Sequence, residues 1–355
     1  MPLIKSNNMP AYDRLLQEGQ PVLDHNRASS QDIRELHIGV LNMMQDAALE
    51  ATERQFLRLI GNSSQIVQIK VHFFTLSSLK RNEEAKKHIE EYYTNFEKIK
   101  ASGLDALIIT GANITEKDIT KEPFWPQLTE VLDWASVNVS SVLCACLASH
   151  AAMTHFYDIH RTHLENKLWG LFPHLKTDRT HPLMSWVNTA FNVPHSRHNT
   201  ITKQDFLKAG CHILVESKDA GIHIATSPDK FRFIFVQGHL EYDTHSVLKE
   251  YKREVMNFAN SVNSKYPPFP ENYLGLQCQE ILNEYKEKLE QAIQSGDILP
   301  EFPEEIVEKR LFNTWRDSAK SIMNNWIGFV YKTTHYDLSR QYMDGIDPDN
   351  PLGIA

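Results

Sequence analysis

A cysteine lies where a short apolar strand gives way to a helix. Residues 140–150 (SSVLCACLASH) read as a buried strand followed by the first turn of an apolar helix, and Cys146 falls at the junction. Backbone N–H groups point outward at such a junction, and the helix dipole favours a thiolate there. The pattern therefore indicates a nucleophile, although packing as a small buried side chain is the commoner fate of a free cysteine.

A histidine and a carboxylate follow a later strand. His239 and Glu241 are two residues apart, just past a strand predicted over residues 231–236, so in an extended segment both face the same side. A thiol nucleophile needs a base, and the base needs a partner that fixes its tautomer. Together with Cys146 these residues would form a triad. The chain has 17 histidines, however, so the spacing alone also arises by chance.

Three further polar residues could bind a substrate. Ser196 lies in a segment that reads as a polar turn, and Lys167 and Arg253 are isolated cations. Arginine binds carboxylates through a two-pronged hydrogen-bonding fork, but isolated charges are usually surface residues. The histidines and the four cysteines follow no zinc-ligand spacing, so we expect no metal.

The elements that must position these residues alternate along the first 155 residues. Strands are predicted over 37–44, 66–76, 105–111 and 140–146, with helices over 47–60, 82–101 and 125–137. This alternation predicts an α/β fold with a mostly parallel sheet flanked by helices. Ligands bind such sheets at the carboxyl ends of the strands, where Gly111 and Cys146 both lie. No glycine-rich dinucleotide or nucleoside-triphosphate motif is present.

The second half of the chain has a different pattern. Short strands are predicted over 212–216, 221–225 and 231–236, followed by helices over 246–262, 274–294 and 304–332. We expect an extended N-terminal arm over residues 1–35 and an α/β catalytic domain over residues 36–265. A helical C-terminal extension over residues 266–355 would pack on the same domain.

Composition narrows the class of protein. The 355 residues carry a net charge of -8 and include four cysteines, too few for a disulfide framework. The charge argues against nucleic acid or an anionic membrane as a partner, and no apolar run is long enough for a membrane span. The first residues lack a signal-peptide pattern, so we expect a cytoplasmic protein.

Several stretches resemble the homoserine O-acyltransferases of methionine biosynthesis. The matching segments, in chain order, are residues 27–29 (RAS), 55–59 (QFLRL), 110–112 (TGA), 125–127 (WPQ), 141–146 (SVLCAC), 194–197 (PHSR), 238–243 (GHLEYD), 325–326 (NW) and 336–338 (YDL). The resemblance implies a class I glutamine amidotransferase-like, flavodoxin-like fold. It also implies that Cys146 is the acyl-thioester nucleophile, His239 the proton acceptor and Glu241 the residue that orients it. Lys167, Ser196 and Arg253 match substrate-contacting positions of that family.

The sequence departs from the family pattern around the substrate pocket. The loop after the first strand lacks the proline and lysine of the family, the tryptophan after the cysteine is Leu147, and a loop proline is Asn113. Thr115 falls on the acyl-selecting position, where acetyl-transferring members have glutamate and succinyl-transferring members have glycine. No counterpart is recognised for about 30 residues within 270–302.

The resemblance implies a ping-pong transfer of an acetyl or succinyl group from acyl-CoA to the hydroxyl of L-homoserine. The geometry of strand ends points to the backbone N–H groups of Leu147 and Ala112 as an oxyanion hole. We expect no bound cofactor, acyl-CoA as co-substrate, small-molecule substrates only and, by family analogy, a homodimer. The alternatives are a serine O-acyltransferase, a glutaminase-type hydrolase with the same triad, and a non-catalytic binding protein.

Overall fold

The structure is a computed structural model that describes residues 3–20, 22–29, 33–63, 67–114, 116–261, 265–335, 337–338 and 345–354. Its strands are β1 (Leu3–Ile4), β2 (Val22–Leu23), β3 (Glu35–Leu41), β4 (Gln68–Phe74), β5 (Ala106–Ile109), β6 (Ser141–Ala145), β7 (Thr162–Lys176), β8 (Ala190–Thr200), β9 (His212–Ser217), β10 (Gly221–Thr226) and β11 (Phe233–Val236). Its α-helices are α1 (Pro10–Gln17), α2 (His25–Ser29), α3 (Leu49–Ser63), α4 (Glu83–Tyr92), α5 (Phe96–Ser102), α6 (Trp125–Asn138), α7 (Leu147–Tyr157), α8 (Lys203–Lys208), α9 (Ser246–Ala259), α10 (Leu276–Ser295), α11 (Glu304–Glu308) and α12 (Arg316–Thr333).

The strands form one sheet in the order β2-β1-β4-β3-β5-β6-β11-β10-β9-β7-β8. Neighbouring strands from β2 through β11 run parallel, whereas the pairings among β11, β10, β9, β7 and β8 are antiparallel. The prediction of an α/β fold with a mostly parallel sheet flanked by helices is therefore confirmed.

The two faces of the parallel strands bury different helices. On β5, Ile108 belongs to the core cluster that contains α3 and α12, while Leu107 and Ile109 belong to the cluster that contains α6 and α7. Successive residues of a strand point to opposite faces, so a strand covered by helices on both sides must be apolar throughout. This requirement explains the continuous apolar runs of the first half of the sequence.

The N-terminal residues do not form the expected extended arm. Strand β1 pairs in parallel with β2 and β4, and α1 buries Tyr12 and Leu15 in the core. Burial of these apolar side chains favours adding the segment to the sheet over leaving it on the surface.

A long antiparallel hairpin, β7–β8, was missed in the sequence. Its strands have 15 and 11 residues, and Ser196, predicted to lie in a turn, is instead in β8 opposite Trp169. Strand β7 contains Gly170 and Pro173, which weaken a strand pattern. Gly170 has φ +142°, and a Cβ there would lie 2.1 Å from the Glu271 carbonyl oxygen, so only glycine fits.

Two predicted helices are each divided in two. The helix predicted over 82–101 breaks at Asn95, whose side chain accepts the Lys98 N–H and starts α5. The helix predicted over 304–332 is interrupted between α11 and α12.

On α12, the fully buried Trp326 donates its indole N–H to the Ser141 hydroxyl at 2.8 Å. The domain boundaries at residues 36, 265 and 266 stay predictions.

Candidate active site

Cys146 sits on a sharp turn between β6 and α7. Its φ of 51° and ψ of -110° are unusual for a residue with a side chain and cost about 1–3 kcal/mol. Its backbone N–H donates to the Val236 carbonyl oxygen at 2.7 Å, which ties the turn to the end of β11. Cys146 is half-buried, whereas Cys144, Cys211 and Cys278 are buried. The turn therefore presents one thiol at the carboxyl edge of the sheet.

The end of β11 brings the histidine to the same place. His239 follows this strand by three residues, and its backbone N–H donates to the Pro194 carbonyl oxygen at 2.9 Å. Its Nδ1 lies 2.7 Å from Oε1 of Glu241, which leaves Nε2 available toward Cys146, a residue that lines the same cavity. Cysteine, histidine and carboxylate thus lie together at one cavity, and the histidine is hydrogen-bonded to the carboxylate.

Opposing effects act on the imidazole. Burial disfavours the charged form, but the Glu241 carboxylate and the Cys146 side chain outweigh it and raise the pKa of His239 well above its usual value. The ring also stacks on Tyr242, with centroids 4.0 Å apart and planes 17° apart. An imidazolium in this position stabilises negative charge on the cysteine sulfur.

The two predicted oxyanion donors flank the thiol. Leu147 is the first residue of α7, where backbone N–H groups have no partner within the helix. The loop after β5 approaches from the other side, since a Cβ on Gly111 would lie 4.0 Å from the Cys146 sulfur. Ala112 follows in that loop and lines the cavities beside the thiol.

A carboxylate that the sequence analysis did not select lies beside the triad. Glu250 of α9 accepts hydrogen bonds from the Ser196 hydroxyl at 2.6 Å and from the Tyr242 hydroxyl at 2.5 Å. Lys167 contributes its ammonium 3.6 Å from the same carboxylate and 4.1 Å from the Trp169 ring centroid. Burial lowers the pKa of Lys167 from its usual value, despite the nearby Glu250 charge. The spacing of three between Glu250 and Arg253, which places both on one helix face, was the available signal.

Two cavities meet at Cys146. We call the first, of 340 Å³, the acceptor cavity; its lining includes His239, Glu241, Tyr242, Glu250 and Arg253. We call the second, of 680 Å³, the basic cavity; its described cationic lining residues are Lys117, Arg161, Lys167, Arg197 and Arg253, against Glu116 and Glu254. Both volumes lie in the range of small-molecule sites.

The predicted site residues that the structure describes thus converge. Cys146, Ser196 and Arg253 line both cavities, while Lys167 lines the basic cavity and His239 and Glu241 the acceptor cavity. Thr115, the predicted acyl-selecting position, lies outside the described residues. Among the residues that the structure describes, no group of three or more histidine, cysteine or acidic side chains could hold a metal ion.

Comparison with known families shows the family of the chain. The model of the family described as homoserine O-succinyltransferase matches residues 2–336. The chain belongs to the homoserine O-succinyltransferase family. The prediction of a homoserine O-acyltransferase, and with it a transferase of methionine biosynthesis, is confirmed.

Curated relatives share the whole chain. The homoserine O-succinyltransferase of Allochromatium vinosum is 56% identical over 355 residues, covering 100% of this chain and 99% of that protein. The homoserine O-succinyltransferase of Methylobacter tundripaludum is 53% identical over 354 residues, covering 100% of each. These alignments run through residues 270–302, so this segment is shared with members of the homoserine O-succinyltransferase family.

More distant similarities exist among solved structures. A glutamine amidotransferase from Thermotoga maritima aligns with 83% of this chain and 97% of its own at 11% identity, with a TM-score of 0.42. Within the described part of the chain, no helix is both long and apolar enough to cross a membrane.

Proposed function

We propose that this protein transfers a succinyl group from succinyl-CoA to the hydroxyl of L-homoserine through a succinyl-cysteine intermediate. The observation that carries the proposal is the convergence of Cys146, His239 and Glu241 where two cavities meet, with Nδ1 of His239 2.7 Å from Oε1 of Glu241. Family membership supports homoserine as the acceptor, and the names of the family and its relatives support succinyl-CoA as the donor.

The first half-reaction forms the acyl-enzyme. The Cys146 sulfur attacks the thioester carbonyl carbon, and the resulting oxyanion is held by the N–H groups of Leu147 and Ala112. As the tetrahedral intermediate collapses, the bond to the CoA sulfur breaks and His239 donates its proton to that sulfur. The products are CoA and a succinyl thioester on Cys146, with a neutral imidazole beside it.

The second half-reaction uses the neutral imidazole as a base. Homoserine enters the acceptor cavity, where its α-carboxylate binds Arg253 and its ammonium binds Glu250. Nε2 of His239 removes the hydroxyl proton as the oxygen attacks the succinyl thioester, and Glu241 stabilises the imidazolium that forms. The carbon–sulfur bond to Cys146 then breaks, which releases O-succinylhomoserine and regenerates the starting pair.

Lys167 and Ser196 have a supporting role in this proposal. Both contact Glu250, so they hold its carboxylate at the edge of the cavity. The requirement for acyl-CoA and the four free cysteines support a reducing, cytoplasmic location.

Intact mass spectrometry tests both half-reactions. The protein is incubated with succinyl-CoA alone, and the expected result is one added succinyl group that maps to Cys146. Addition of homoserine should then remove the label and yield O-succinylhomoserine. Serine is compared with homoserine as the acceptor, and acetyl-CoA with succinyl-CoA as the donor. Cys146→Ala is the matched control and should acquire no label. Turnover by that variant at the normal rate would refute the covalent step.

A further inference from the structure

The basic cavity contains a guanidinium that is only partly used by the fold. Arg161 immediately precedes β7, the first strand of the hairpin. Its Nη2 donates to the Glu116 and Lys117 carbonyl oxygens at 2.8 and 2.7 Å. Its Nε and Nη1 are buried and have no hydrogen-bond partner among the described residues. An unpaired buried donor on a charged group costs free energy that a suitable acceptor would recover.

Arg197 lines the same cavity, and each nitrogen of its guanidinium group has a hydrogen-bond partner. Its Nη1 and Nη2 donate to the carbonyl oxygens of Asn199 and Ala220 at 2.7 and 2.6 Å, and its Nε lies 3.3 Å from Nδ1 of His195. Arg197 therefore has a structural use for each of its nitrogens, whereas Arg161 has one for Nη2 alone.

The carboxylates that act on the Arg161 charge are occupied elsewhere. Glu122 accepts the Glu116 N–H at 2.8 Å, and Asp118 accepts the Thr120 N–H and hydroxyl. Burial outweighs both carboxylates and lowers the pKa of Arg161 from its usual value. The side chain remains a cation at neutral pH, because an arginine is protonated far above that range.

Arg161 and the nucleophile line the same cavity. His150 lies four residues after Cys146 on α7, about one helical turn or 5.4 Å along the axis. Burial, together with the Arg197 and Arg161 charges, holds the pKa of His150 at about 3. His150 and Arg161 both line the basic cavity beside Cys146. The three C–C bonds of a succinyl group extend about 4 Å from the thioester carbon, so a succinyl group on Cys146 can place its free carboxylate inside this cavity.

We propose that Arg161 binds the free carboxylate of the succinyl group and thereby selects a dicarboxylic acyl donor. This inference rests on the proposed function and adds the residue that recognises the acyl group. Both unpaired nitrogens are shielded from water in this conformation, so engagement requires the guanidinium to rotate toward the cavity that it lines. The acyl chain would then lie in the basic cavity while homoserine occupies the acceptor cavity.

The test compares succinyl-CoA with butyryl-CoA, which has the same chain length and lacks the carboxylate. The rate of Cys146 acylation is measured by quenched-flow mass spectrometry for the wild type and Arg161→Met. The substitution should lower kcat/KM for succinyl-CoA by about 10- to 100-fold, the range of a hydrogen bond to a charged group, and change butyryl-CoA much less. Arg161→Lys should restore part of the preference because it keeps the charge.

Lys117→Met is the matched control. Lys117 is an exposed cation of the same cavity, so its loss should affect the two donors equally through general attraction of the CoA anion. If Arg161→Met also lowers kcat/KM equally for the two donors, Arg161 binds the CoA portion or supports the fold, and the proposal is wrong. If wild-type protein is acylated by neither donor, it is the proposed function that fails.

A measurement on the wild type covers the case in which Arg161→Met does not fold. Free succinate and free butyrate are compared as protectants of Cys146 against iodoacetamide. Succinate should protect at roughly tenfold lower concentration, because only it places a second carboxylate at Arg161. Equal protection by the two acids would overturn the assignment.

Discussion

The Ser196 hydroxyl donates a 2.6 Å hydrogen bond to Oε2 of Glu250, across the junction between the β7–β8 hairpin and α9. Tyr242, which directly follows Glu241, donates its hydroxyl to the other oxygen of the Glu250 carboxylate. Glu250 therefore links the hairpin to the segment that carries His239 and Glu241. In the proposed reaction, this carboxylate binds the ammonium group of the amino-acid acceptor.

Glu250→Gln should separate the two half-reactions. The amide keeps the shape but loses the charge that pairs with the homoserine ammonium, so KM for homoserine should rise by roughly 10- to 100-fold. Acylation of Cys146 by succinyl-CoA should be much less affected, because that step does not use the ammonium site. Steady-state kinetics and single-turnover acylation measure the two effects.

Glu287→Gln provides the same chemical change at an exposed position of α10 and should leave both steps unaltered. A Glu250→Gln variant that slows acylation and homoserine transfer equally would contradict the assignment of Glu250 to the acceptor.

Glu241→Gln should alter both the rate and its pH dependence. The carboxylate raises the pKa of His239, so its loss should lower that pKa. Transfer to homoserine requires the neutral imidazole, and the acidic limb of its pH–rate profile should therefore move to lower pH. The maximal rate should fall by about 10²- to 10⁴-fold, because the ring loses its tautomer and its orientation.

Single-turnover transfer from preformed succinyl-enzyme, measured between pH 5 and 9, separates this effect from acylation. Tyr242→Phe keeps the ring stacked on His239 and removes only the bond to Glu250. Its acidic limb should stay near that of the wild type. An unshifted limb in Glu241→Gln would show that another group controls the ionisation.

The sequence predicts the place of a residue in the fold where that residue follows a recognisable strand. Cys146 directly follows β6 and His239 follows β11, and these two strands pair in parallel from Val142 with Phe233 to Ala145 with Val236. Apolar patterning predicts that both residues follow strands, and the observed pairing of these two strands places them at the same edge of the sheet. The interpretation of residues 105–146 as part of a parallel sheet followed from the same logic.

Sequence was insufficient where long-range packing decides the conformation. Strand β7 has a glycine and a proline in its interior, and its register with β8 shifts between His163 and Leu168. Tertiary contacts with the segment at Glu271 stabilise it, and these are not visible in local patterning. Ser196 was therefore assigned to a turn, and Glu250, whose environment the hairpin creates, was not selected.

Trp326→Phe should destabilise the protein although Trp326 is distant in sequence from the strands it contacts. Its buried indole donates to the Ser141 hydroxyl, which in turn donates to the Phe231 carbonyl oxygen at 2.7 Å. Loss of the indole N–H should reduce the free energy of unfolding by about 1–2 kcal/mol. Urea denaturation followed by circular dichroism measures the change.

Trp186→Phe is the control for this substitution, since Trp186 is 95% exposed and should change stability by less than about 0.5 kcal/mol. Equal stability of the two variants would mean that the α12 contact with β6 contributes nothing measurable.

The stability of the protein should be sensitive to acid because of a group of buried histidines, one of which, His195, lies beside Gly238. His174 stacks on His195 with ring centroids 5.1 Å apart and donates from Nδ1 to the Phe172 carbonyl oxygen at 2.8 Å. Burial lowers the pKa of His174 to about 4, and the same effect holds the pKa values of His195 and His223 well below their usual value. These rings are neutral in the folded state at neutral pH.

The unfolded chain protonates these histidines near pH 6.5, so between about pH 6.5 and 4 it binds more protons than the folded protein. Stability should therefore be full above pH 6.5 and fall as the pH decreases, with His174 alone contributing about 2–3 kcal/mol of the loss by pH 4. His174→Gln should give a shallower slope of unfolding free energy against pH in urea denaturation between pH 4.5 and 7.5. His160→Gln, at an exposed histidine, should retain the wild-type slope. A His174→Gln slope equal to that of the wild type would show that His174 is not among the groups that couple folding to proton uptake.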